Sequence, residues 1–425
     1  MNQFILSFAH QLQLFVFYYP LFMAYVWMVG GIYYRLHWES HGEQSRDNPQ
    51  PLPESPPVSI LVPCHNEGDN VKETIGFLAA QHYPNFEIIA INDGSKDNTG
   101  ELLDELTKKY DTLRVVHLAG NQGKAMALNV GALMTKNNIL VCIDGDALLD
   151  PYATHWLVRQ FLSAPRLGAV TGNPRIRNRT SLLGKIQVGE FSSIIGLIKR
   201  AQRIYGRVFT VSGVVVAFNK TALHDIGYWT ADNVTEDIDV SWRLQLNHWD
   251  VRFEPNALCW ILTPETLKGL TQQRIRWAQG GAETFMRYFR TMLSWRRRRM
   301  WLVCVEYIVS VVWTYSLMCT LILWVISKFI PLPSYLQVSS LIPGWTGVIL
   351  GLTCLLQALV SLSIDSRYES GLVRYFFWMV WYPIAYWIIN VVATVVGFPR
   401  ALLKKRGERA VWTSPDRGIQ SLPKD

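Results

Sequence analysis

Four long apolar segments constrain the fold of this chain more than any other feature of its sequence. They span residues 11–34, 301–327, 341–364 and 375–399. Each exceeds the roughly 20 residues that an α-helix needs to cross a bilayer. The first has no Lys or Arg before it and no small-residue cleavage site, which favours an anchor over a secretory signal. We therefore expect a multi-pass membrane protein.

Between the first and second apolar segments lies a long stretch of mixed polarity, large enough for a substantial soluble domain. Residues 43–57 before it are rich in proline and polar or charged residues, which is typical of a linker. The sequence therefore predicts a transmembrane anchor at 1–35, a linker at 36–57, a soluble domain at 58–296 ending in interfacial helices, a transmembrane region of about three spans at 297–403, and a basic tail at 404–425.

The net charge of +8 is concentrated beside the apolar segments, in basic runs at 296–299 and 404–406. Nucleic acid is the alternative partner for such runs, but their position favours the positive-inside rule for cytoplasmic loops. We therefore expect a cytoplasmic soluble domain in contact with the lipid bilayer, and no nucleic-acid partner. One span before that domain and three after it would place residues 404–406 outside, so a bent or re-entrant last segment around Pro383 is an alternative.

The soluble stretch alternates between strand-like and helix-like patterns. Short apolar runs predict strands at 58–64, 86–92, 113–119 and 139–146. Helices are predicted between them at 70–81, 99–110 and 123–134. This order implies an α/β fold with a mostly parallel sheet and helices on both faces. Ligands of such sheets bind beyond the carboxyl ends of the strands.

Charged side chains follow the predicted strands at that edge, namely Glu67, Asp93, Lys124, Asp144 and Asp146. Strand alternation would point Asp144 and Asp146 the same way. Two carboxylates suit Mg²⁺ or Mn²⁺ when substrate phosphates supply other ligands. Lys124 lies near a helix start, where a diphosphate binds favourably. Neither Gly-x-Gly-x-x-Gly nor Gly-x-x-x-x-Gly-Lys-[Ser/Thr] follows these strands, so dinucleotide and P-loop sites lose their main support.

A second acidic motif, Thr235-Glu236-Asp237, opens a predicted helix at 235–246. Thr235 is the expected N-cap, and acids are favoured in the first turn by the helix dipole. The dipole would help to keep Asp237 ionised, as a general base requires. A plain capping arrangement is the alternative.

A third motif, Gln273-x-x-Arg276-Trp277, precedes the arginine run. The guanidinium of Arg276 can neutralise a leaving diphosphate through two parallel hydrogen bonds, and Trp277 offers a flat apolar face to a sugar ring. The alternative is an amphipathic helix with basic and aromatic anchors at the membrane interface.

In this order, the motifs resemble those of the processive family 2 inverting glycosyltransferases, which include cellulose, chitin and hyaluronan synthases. Residues 170–175, 185–190, 209–213 and 257–265 also resemble the bacterial members that join N-acetylglucosamine through β-1,6 linkages. The likeness covers roughly residues 57–283. It implies a GT-A glycosyltransferase domain with a Rossmann-like nucleotide half, inserted between transmembrane helices of the bacterial inner membrane. It also implies UDP-GlcNAc as donor and a growing polysaccharide that is passed outward.

The resemblance assigns the donor side of the site to five residues. Asp93 would contact the uracil, and Asp144 would contact the ribose or the metal. Asp146 would hold a divalent cation, Mg²⁺ or Mn²⁺, against the diphosphate, with Lys124 nearby. Glu67 would be a further residue of the UDP-sugar site.

It assigns the acceptor side to five others. Asp237 would deprotonate the acceptor hydroxyl, with Glu236 beside it. Gln273 and Arg276 would hold the leaving UDP or the acceptor end, and Trp277 would stack on the terminal sugar. Transfer from an α-linked donor without a covalent intermediate then gives a β linkage.

Several alternatives stay open. Another processive synthase of the chitin, hyaluronan or cellulose type is the nearest, and a single-transfer enzyme acting on a lipid phosphate is more distant. A transporter or receptor with a degenerate nucleotide-binding domain is disfavoured by the intact acids. The resemblance also implies two kinds of partner, a small auxiliary membrane subunit and outer-membrane export machinery.

Two smaller features complete the predictions. Ser212-Gly213 is expected to shape the acceptor pocket, although a simple turn explains it nearly as well. Glu306 is the one charge well inside an apolar run, which makes it a candidate functional residue. The favoured alternative is an interfacial residue paired with the neighbouring arginines.

Overall fold

The computed structural model describes residues 2–39, 46–333, 336, 344–405 and 407–410. The helices are α1 (Asn2–Tyr34), α2 (Val71–Ala79), α3 (Thr99–Thr107), α4 (Lys124–Leu133), α5 (Ala153–Leu162), α6 (Leu182–Phe191), α7 (Lys199–Tyr205), α8 (Lys220–Asp225), α9 (Glu236–Leu246), α10 (Leu267–Met292), α11 (Trp301–Ile326), α12 (Gly344–Asp365) and α13 (Tyr382–Leu403). The strands are β1 (Val58–Cys64), β2 (Phe86–Asp93), β3 (Leu113–Leu118), β4 (Ile139–Ile143), β5 (Leu148–Leu149), β6 (Leu167–Ile176), β7 (Val215–Asn219) and β8 (Asp250–Ile261).

The strands form one mixed sheet in the order β3-β2-β1-β4-β7-β6-β8-β5. The first four are parallel, as predicted. β7 then runs antiparallel to β4 and to β6, while β6 and β8 are parallel. Because β7 is the neighbour of β4, the segments around β7 lie beside the carboxyl end of β4, where the Asp-x-Asp motif is.

Both faces of β1 and β4 and most of β2 are buried, as a parallel sheet requires, whereas the edge strand β3 is partly exposed. Ile60 and Val62 of β1 lie in one core cluster with residues of α2, α3 and α5, whereas Leu61 lies in a second cluster with residues of α4 and α9. Successive side chains of a strand point to opposite faces, so one apolar run serves both layers. This burial explains why the apolar runs predicted β1 and β2 to within a residue.

β4 is shorter than predicted. Its last residue, Ile143, pairs with Val215, and the next residues form a turn in which the carbonyl of Asp144 accepts a hydrogen bond from the amide of Ala147 at 3.1 Å. Asp144 and Asp146 therefore lie on a turn rather than on the strand. The prediction that strand alternation orients them is wrong, because alternation ends with the ladder at Ile143.

Four helices are long and apolar enough to cross a membrane, within Gln11–Glu39, Trp295–Ile326, Trp345–Asp365 and Tyr386–Leu403. They overlap the four predicted segments. The last differs in its start, because Leu372–Trp381 forms a separate short 3₁₀ helix. α13 begins at Tyr382 and has a proline in its first turn, where the missing amide hydrogen costs nothing.

α13 lies along α10, the helix that carries the Gln-x-x-Arg-Trp motif. Near its start, Tyr386 packs in one apolar cluster with Leu270. Further along, a side chain at Gly397 would meet the carbonyl oxygen of Ile275 at 2.9 Å, so only glycine permits this approach. Just beyond its end, the Nζ of Lys404 lies 3.1 Å from Glu283 Oε2. Both ends of α13 thus contact the soluble domain.

Glu306 lies in the second turn of α11. Its carboxylate accepts hydrogen bonds from the Nε2 of Gln202 on α7, at 3.3 Å to each oxygen. Within the described residues it forms no ion pair. The favoured pairing with the neighbouring arginines is therefore wrong, since Arg297 instead donates to the carbonyls of Leu246 and Thr291.

A cluster of four buried charges joins the soluble domain to the helices; we call Glu39, Arg175, Arg200 and Asp365 the junction cluster. Arg200 donates from Nε to Glu39 at 2.6 Å and from Nη1 to Asp365 at 2.8 Å. Arg175 donates to the other oxygen of Asp365 at 2.9 Å. All four residues are buried. The cluster links α7 and β6 to two helix ends. One is the end of α12, and the other is the end of the short helical segment Arg35–Glu39 that follows α1.

Candidate active site

Lys124 brings together the two acidic motifs. Its Nζ lies 2.6 Å from Asp144 Oδ1 and 3.1 Å from Glu236 Oε1. Lys124 is the first residue of α4, whereas Asp144 follows β4 and Glu236 opens α9. The side chains are 15%, 23% and 16% exposed respectively, so the cluster is shielded and still open on one side. The predicted meeting of Lys124 and Asp144 at one edge is confirmed, and the structure adds Glu236 to them.

Gly213 connects this cluster to Asp237. Its carbonyl accepts a hydrogen bond from Lys124 Nζ at 3.1 Å, and its amide donates to Asp237 Oδ2 at 3.3 Å. A side chain at Gly213 would lie 3.2 Å from Asp237 Oδ2, which is tighter than an ordinary contact. The absence of a side chain at Gly213 therefore lets the backbone of one residue contact both charged groups, Asp237 through its amide and Lys124 through its carbonyl.

Within this cluster, neighbours of opposite charge stabilise the ionised forms of Lys124 and Glu236 and offset the free-energy cost of their burial. Burial lowers the pKa of Lys124, but Asp144 and Glu236 outweigh it and the pKa is raised above the usual range. Burial likewise raises the pKa of Glu236, but Lys124 outweighs it and the pKa is lowered. Lys124 and Glu236 therefore both carry their charges at neutral pH.

Asp237 differs from its neighbour. Burial first, and then the negative charge of Glu236, raise the pKa of Asp237 to about 6. A hydrogen bond from the amide of Ile238 at 2.9 Å acts in the other direction. The favourable helix end is thus not the dominant influence that we expected. The carboxylate is still mostly ionised at pH 7, and a pKa this close to neutrality suits a general base.

The prediction that Thr235 is the N-cap of α9 is confirmed in position but not in its hydrogen bonding. Thr235 occupies the N-cap position of α9, but its side chain makes no capping hydrogen bond. Its hydroxyl instead donates to Asn233 Oδ1 at 3.3 Å. The reason is local, because Asn233 precedes the helix and offers a nearer acceptor to both the amide and the hydroxyl of Thr235.

Asp93 and Glu67 are buried at the carboxyl ends of β2 and β1. The two oxygens of Asp93 accept hydrogen bonds from the amides of Gln122 and Gly123, each at 2.8 Å. Asp93 thereby orders the loop that leads into α4 and Lys124. Glu67 accepts a hydrogen bond from Asn70 at 3.1 Å at the start of α2. These contacts shape the loops, and direct contact with a nucleotide stays a prediction for both residues.

α10 presents Trp277 through an arginine that the sequence analysis missed. The guanidinium of Arg274 lies 4.2 Å from the centre of the Trp277 ring, a distance typical of a cation–π interaction. Arg274 also forms a buried ion pair with Glu190 of α6 at 2.8 Å. The available signal was its place inside the Gln-x-x-Arg-Trp motif, but its partner is 84 residues away.

Of the other two residues of that motif, Arg276 lies within electrostatic reach of the acids, since its positive charge contributes to the lowered pKa of Glu236. Gln273 has a buried Oε1 that accepts no hydrogen bond from any part of the chain that the structure describes. Buried polar atoms are usually paired, so this oxygen is available to a ligand. Arg276 therefore links the third motif to the first two.

The chain supplies few ligands for a metal by itself. Among the residues described, no group of three or more His, Cys, Asp or Glu side chains is arranged to hold an ion. Asp144 and Asp146 would therefore be two of its ligands, with phosphate oxygens and water as the others, as is usual for Mg²⁺ sites. The ammonium of Lys124 on Asp144 shows that this carboxylate already attracts a cation.

The segment that follows α13 also reaches this site. Arg409 donates to Gln122 Oε1 at 2.7 Å, and the amide of Ala410 donates to the carbonyl of Ala231 at 2.9 Å. Gln122 is in the loop ordered by Asp93. Nothing in the sequence pattern of the basic tail predicted this contact, because it depends on the path of α13.

Comparison with known proteins agrees with this geometry. The chain matches the family model described as "Glycosyltransferase like family 2" over residues 56–280. It is 42% identical over 404 residues to a poly-beta-1,6-N-acetyl-D-glucosamine synthase of Staphylococcus epidermidis, covering 95% of this chain and 98% of that protein. The protein of the same name from Staphylococcus aureus strain MSSA476 is 41% identical, with the same coverage.

Among solved structures, the chain is similar to a mannosyltransferase from Pyrobaculum calidifontis in complex with GDP-Man and Mn²⁺. The TM-score is 0.65 at 18% sequence identity, covering 95% of this chain and all of that one. At this identity the likeness shows the fold, which is that of a GT-A glycosyltransferase.

Proposed function

This chain belongs to the family 2 glycosyltransferases, and from that premise we propose that it polymerises N-acetylglucosamine from UDP-GlcNAc into a β-1,6-linked polysaccharide. Its catalytic domain would be cytoplasmic, at the bacterial inner membrane. The names of the Staphylococcus relatives support the choice of sugar and linkage. The single observation that carries the chemistry is the backbone of Gly213, whose amide donates to Asp237 and whose carbonyl accepts from Lys124.

Asp237 is the general base of this proposal. It takes the proton from the hydroxyl of the terminal sugar as that oxygen attacks the anomeric carbon of the donor. The bond from that carbon to the diphosphate breaks, and UDP leaves from the opposite face. A single displacement of an α-linked donor gives a β linkage. The raised pKa of about 6 leaves Asp237 deprotonated at neutral pH and still basic enough to accept the proton.

Lys124 and Arg276 stabilise the departing diphosphate. Lys124 lies at the N-terminus of α4, where amide groups and the helix dipole also favour an anion. A divalent cation held by Asp144 and Asp146, when bound, would add Lewis-acid stabilisation of the charge that develops on the leaving group. The Mn²⁺ in the solved mannosyltransferase supports such an ion.

Trp277 would hold the acceptor end of the polymer by stacking on its terminal sugar. The cation–π contact of Arg274 fixes the ring, and Glu190 fixes Arg274. Gln273 Oε1 would accept a hydrogen bond from a sugar hydroxyl, which would satisfy this buried atom.

Outward passage of the polymer requires polar groups along its path. The Oε1 atoms of Gln187 and Glu190 and the hydroxyl of Tyr386 are buried and have no hydrogen-bond partner within the described ranges. They lie on α6 and α13, whose residues Ile186 and Tyr386 share an apolar cluster with Leu270 of α10. A sugar chain passing between these helices would supply the missing hydrogen bonds.

The contacts of α13 bear on membrane orientation. If α1, α11 and α12 cross the membrane, Asp365 at the end of α12 returns to the side of the soluble domain, where it pairs with Arg200. α13 then stays on that side, since Tyr386 and Lys404 both contact α10. This orientation places the basic tail in the cytoplasm, in agreement with the positive-inside rule.

The test is donor and product analysis with purified protein in detergent. We expect UDP release from UDP-GlcNAc to exceed that from UDP-glucose and UDP-glucuronate, and the product to be cleaved by a β-1,6-specific hydrolase. A product cut only by a chitinase, hyaluronidase or cellulase would assign one of the other synthase types. Transfer of a single sugar to a lipid phosphate would contradict polymerisation.

A further inference from the structure

Lys199, the first residue of α7, is a buried lysine that the chemistry described so far does not use. It is 3% exposed. Its Nζ donates a hydrogen bond to Ser212 Oγ at 2.6 Å and to Thr171 Oγ1 at 3.1 Å. Burial of a lysine costs free energy unless its N–H donors are hydrogen-bonded. Two of the donors of Lys199 bind hydroxyl groups, which indicates that the lysine is buried in order to position those hydroxyls.

The residue that Lys199 holds is the immediate neighbour of Gly213. Ser212 is fixed a second time, because its amide donates to Thr171 Oγ1 at 2.8 Å. Lys199, Thr171 and Ser212 therefore form a closed triangle of hydrogen bonds beside the backbone of Gly213. The amide of Gly213 in turn donates to Asp237, and its carbonyl accepts from Lys124. A shift of Ser212 would move both charged groups at once.

The electrostatic surroundings of Lys199 are simple. Burial lowers the pKa of Lys199 to about 7, and Asp237 of α9 acts in the opposite direction. No other charged group among the described residues shifts it. From β6 and from the turn before β7 it faces the hydroxyls of Thr171 and Ser212. Lys199 and Asp237 are thus linked by charge as well as through Gly213.

We propose that Lys199 is a positioning residue for the general base, which holds the Ser212-Gly213 turn so that the Gly213 amide stabilises the ionised form of Asp237. The inference rests on the proposed role of Asp237 and adds to it the residue that sets its geometry. Lys199 itself touches neither substrate nor the reacting atoms.

The decisive variant is Lys199→Met, which keeps the length and apolar stem but removes the donors. Misplacement of a reacting group by about 1 Å can cost 10²-fold in rate, so we expect kcat to fall roughly 10- to 100-fold. Loss of the Gly213 hydrogen bond and of the nearby positive charge should raise the pKa of Asp237. The acidic limb of the kcat–pH profile should therefore move to higher pH. The matched control is Lys72→Met, at an exposed position of α2.

A second variant keeps the test decisive if Lys199→Met does not fold. Ser212→Ala removes the acceptor at the other end of the 2.6 Å hydrogen bond. It should move the acidic limb in the same direction, by less. If both single variants fold, the double variant should lose less than the product of their effects, because the two residues act through one bond.

Turnover is measured as UDP release with whichever of UDP-GlcNAc, UDP-glucose or UDP-glucuronate the wild type uses. An unexpected donor would overturn the proposed substrate and leave the Lys199 comparison intact. A kcat of Lys199→Met equal to that of Lys72→Met would overturn the inference. So would a lowered kcat with an unmoved acidic limb, which would indicate a merely structural role. If only Ser212→Ala folds, an unmoved acidic limb in its kcat–pH profile would also overturn the inference.

Discussion

The two buried charge clusters of this protein differ in their balance. In the junction cluster, Arg175 and Arg200 face Glu39 and Asp365, so two positive groups meet two negative ones. Around Lys124, one positive group meets the carboxylates of Asp144 and Glu236, and Gly213 links it to Asp237. The junction cluster is fully buried, whereas Lys124, Asp144 and Glu236 are partly exposed.

This difference in charge balance distinguishes buried charges that stabilise the fold from buried charges that we assign to catalysis. A buried ion pair tolerates the loss of water when each charge has its partner inside the protein. The junction cluster meets that condition for its charges, since each has an opposite charge beside it, although Glu39 Oε2, Arg175 Nε and Nη2 and Arg200 Nη2 form no hydrogen bond within the described residues. In the active site, four acids (Asp144, Asp146, Glu236 and Asp237) outnumber the three nearby positive groups, which are Lys124, Arg276 and Lys199. The site therefore gains from a cation and from a substrate that brings one. It also leaves Asp237 with a raised pKa, which a structural carboxylate would not need.

The largest expected effect is that of changing Asp237 in the active-site cluster. Asp237→Asn keeps the size and hydrogen bonding of the side chain but cannot take the acceptor proton. We expect turnover to fall by roughly 10²–10⁴-fold. Binding of UDP should change little, because Asp237 lies on the acceptor side. Both quantities are measured on purified protein, by UDP release and by calorimetric titration with UDP.

Asp111→Asn, at an exposed position after α3, is the matched control and should behave like the wild type. Near-normal turnover of Asp237→Asn would remove Asp237 from the chemistry. Loss of UDP binding would instead indicate that Asp237 supports the fold of the site.

The second prediction concerns the junction cluster. Arg200→Met leaves Glu39 and Asp365 buried with fewer partners, and breaking a buried pair costs about 3–5 kcal/mol. We expect a lower midpoint of thermal unfolding in detergent, with turnover per folded molecule close to that of the wild type. Arg296→Met, which removes an exposed arginine, is the control. An unchanged midpoint would show that the two clusters do not differ in the way described.

The third prediction uses the pKa of Asp237. Because the base acts when deprotonated and its pKa is about 6, kcat should be constant above pH 7. It should fall by about tenfold per pH unit well below pH 6. Glu236→Gln removes the negative charge that helps to raise this pKa, so its acidic limb should lie at lower pH. An acidic limb unaffected by Glu236→Gln would contradict the electrostatic account of the site.

The smallest effect is expected at Glu306. Its hydrogen bonds to Gln202 lie near the cytoplasmic end of α11 in the proposed orientation, and Gln at 306 can still bond to Gln202. Polymer release from membranes carrying Glu306→Gln should therefore match that of wild-type membranes. Reduced release with normal UDP turnover would assign Glu306 a part in export.

Local patterns were enough to predict the parallel half of the sheet and the gathering of Lys124 and Asp144 at one edge, whereas the contact of Glu236 with Lys124 was not predicted from them. Apolar runs mark β1 to β4, and parallel strands bring their carboxyl ends together. The prediction placed Asp144 and Asp146 at the correct end of β4, but on the strand rather than on the turn that follows it. β4 ends at Ile143 because its pairing with β7 ends there.

Contacts between distant parts of the chain could not be predicted in this way. Arg274 and Glu190, Lys199 and Ser212, and the junction cluster each depend on which helix packs against which. A buried lysine such as Lys199 has no sequence signature, since the same residue on an exposed helix face looks identical. The burial of Asp93 against the loop at 121–123 was likewise hidden, because the loop approaches only after β2 and α4 are in place.

The central claim is that the acids around Lys124 complete their charge balance with a divalent cation and a nucleotide diphosphate. The most direct measurement is Mn²⁺ binding, followed by the loss of the free-ion electron paramagnetic resonance signal, with and without UDP. We predict that wild-type protein binds Mn²⁺ strongly only with UDP, that Asp146→Asn loses this binding, and that Arg200→Met retains it. Equal binding of Mn²⁺ by the wild type and by Asp146→Asn in the presence of UDP would contradict the claim.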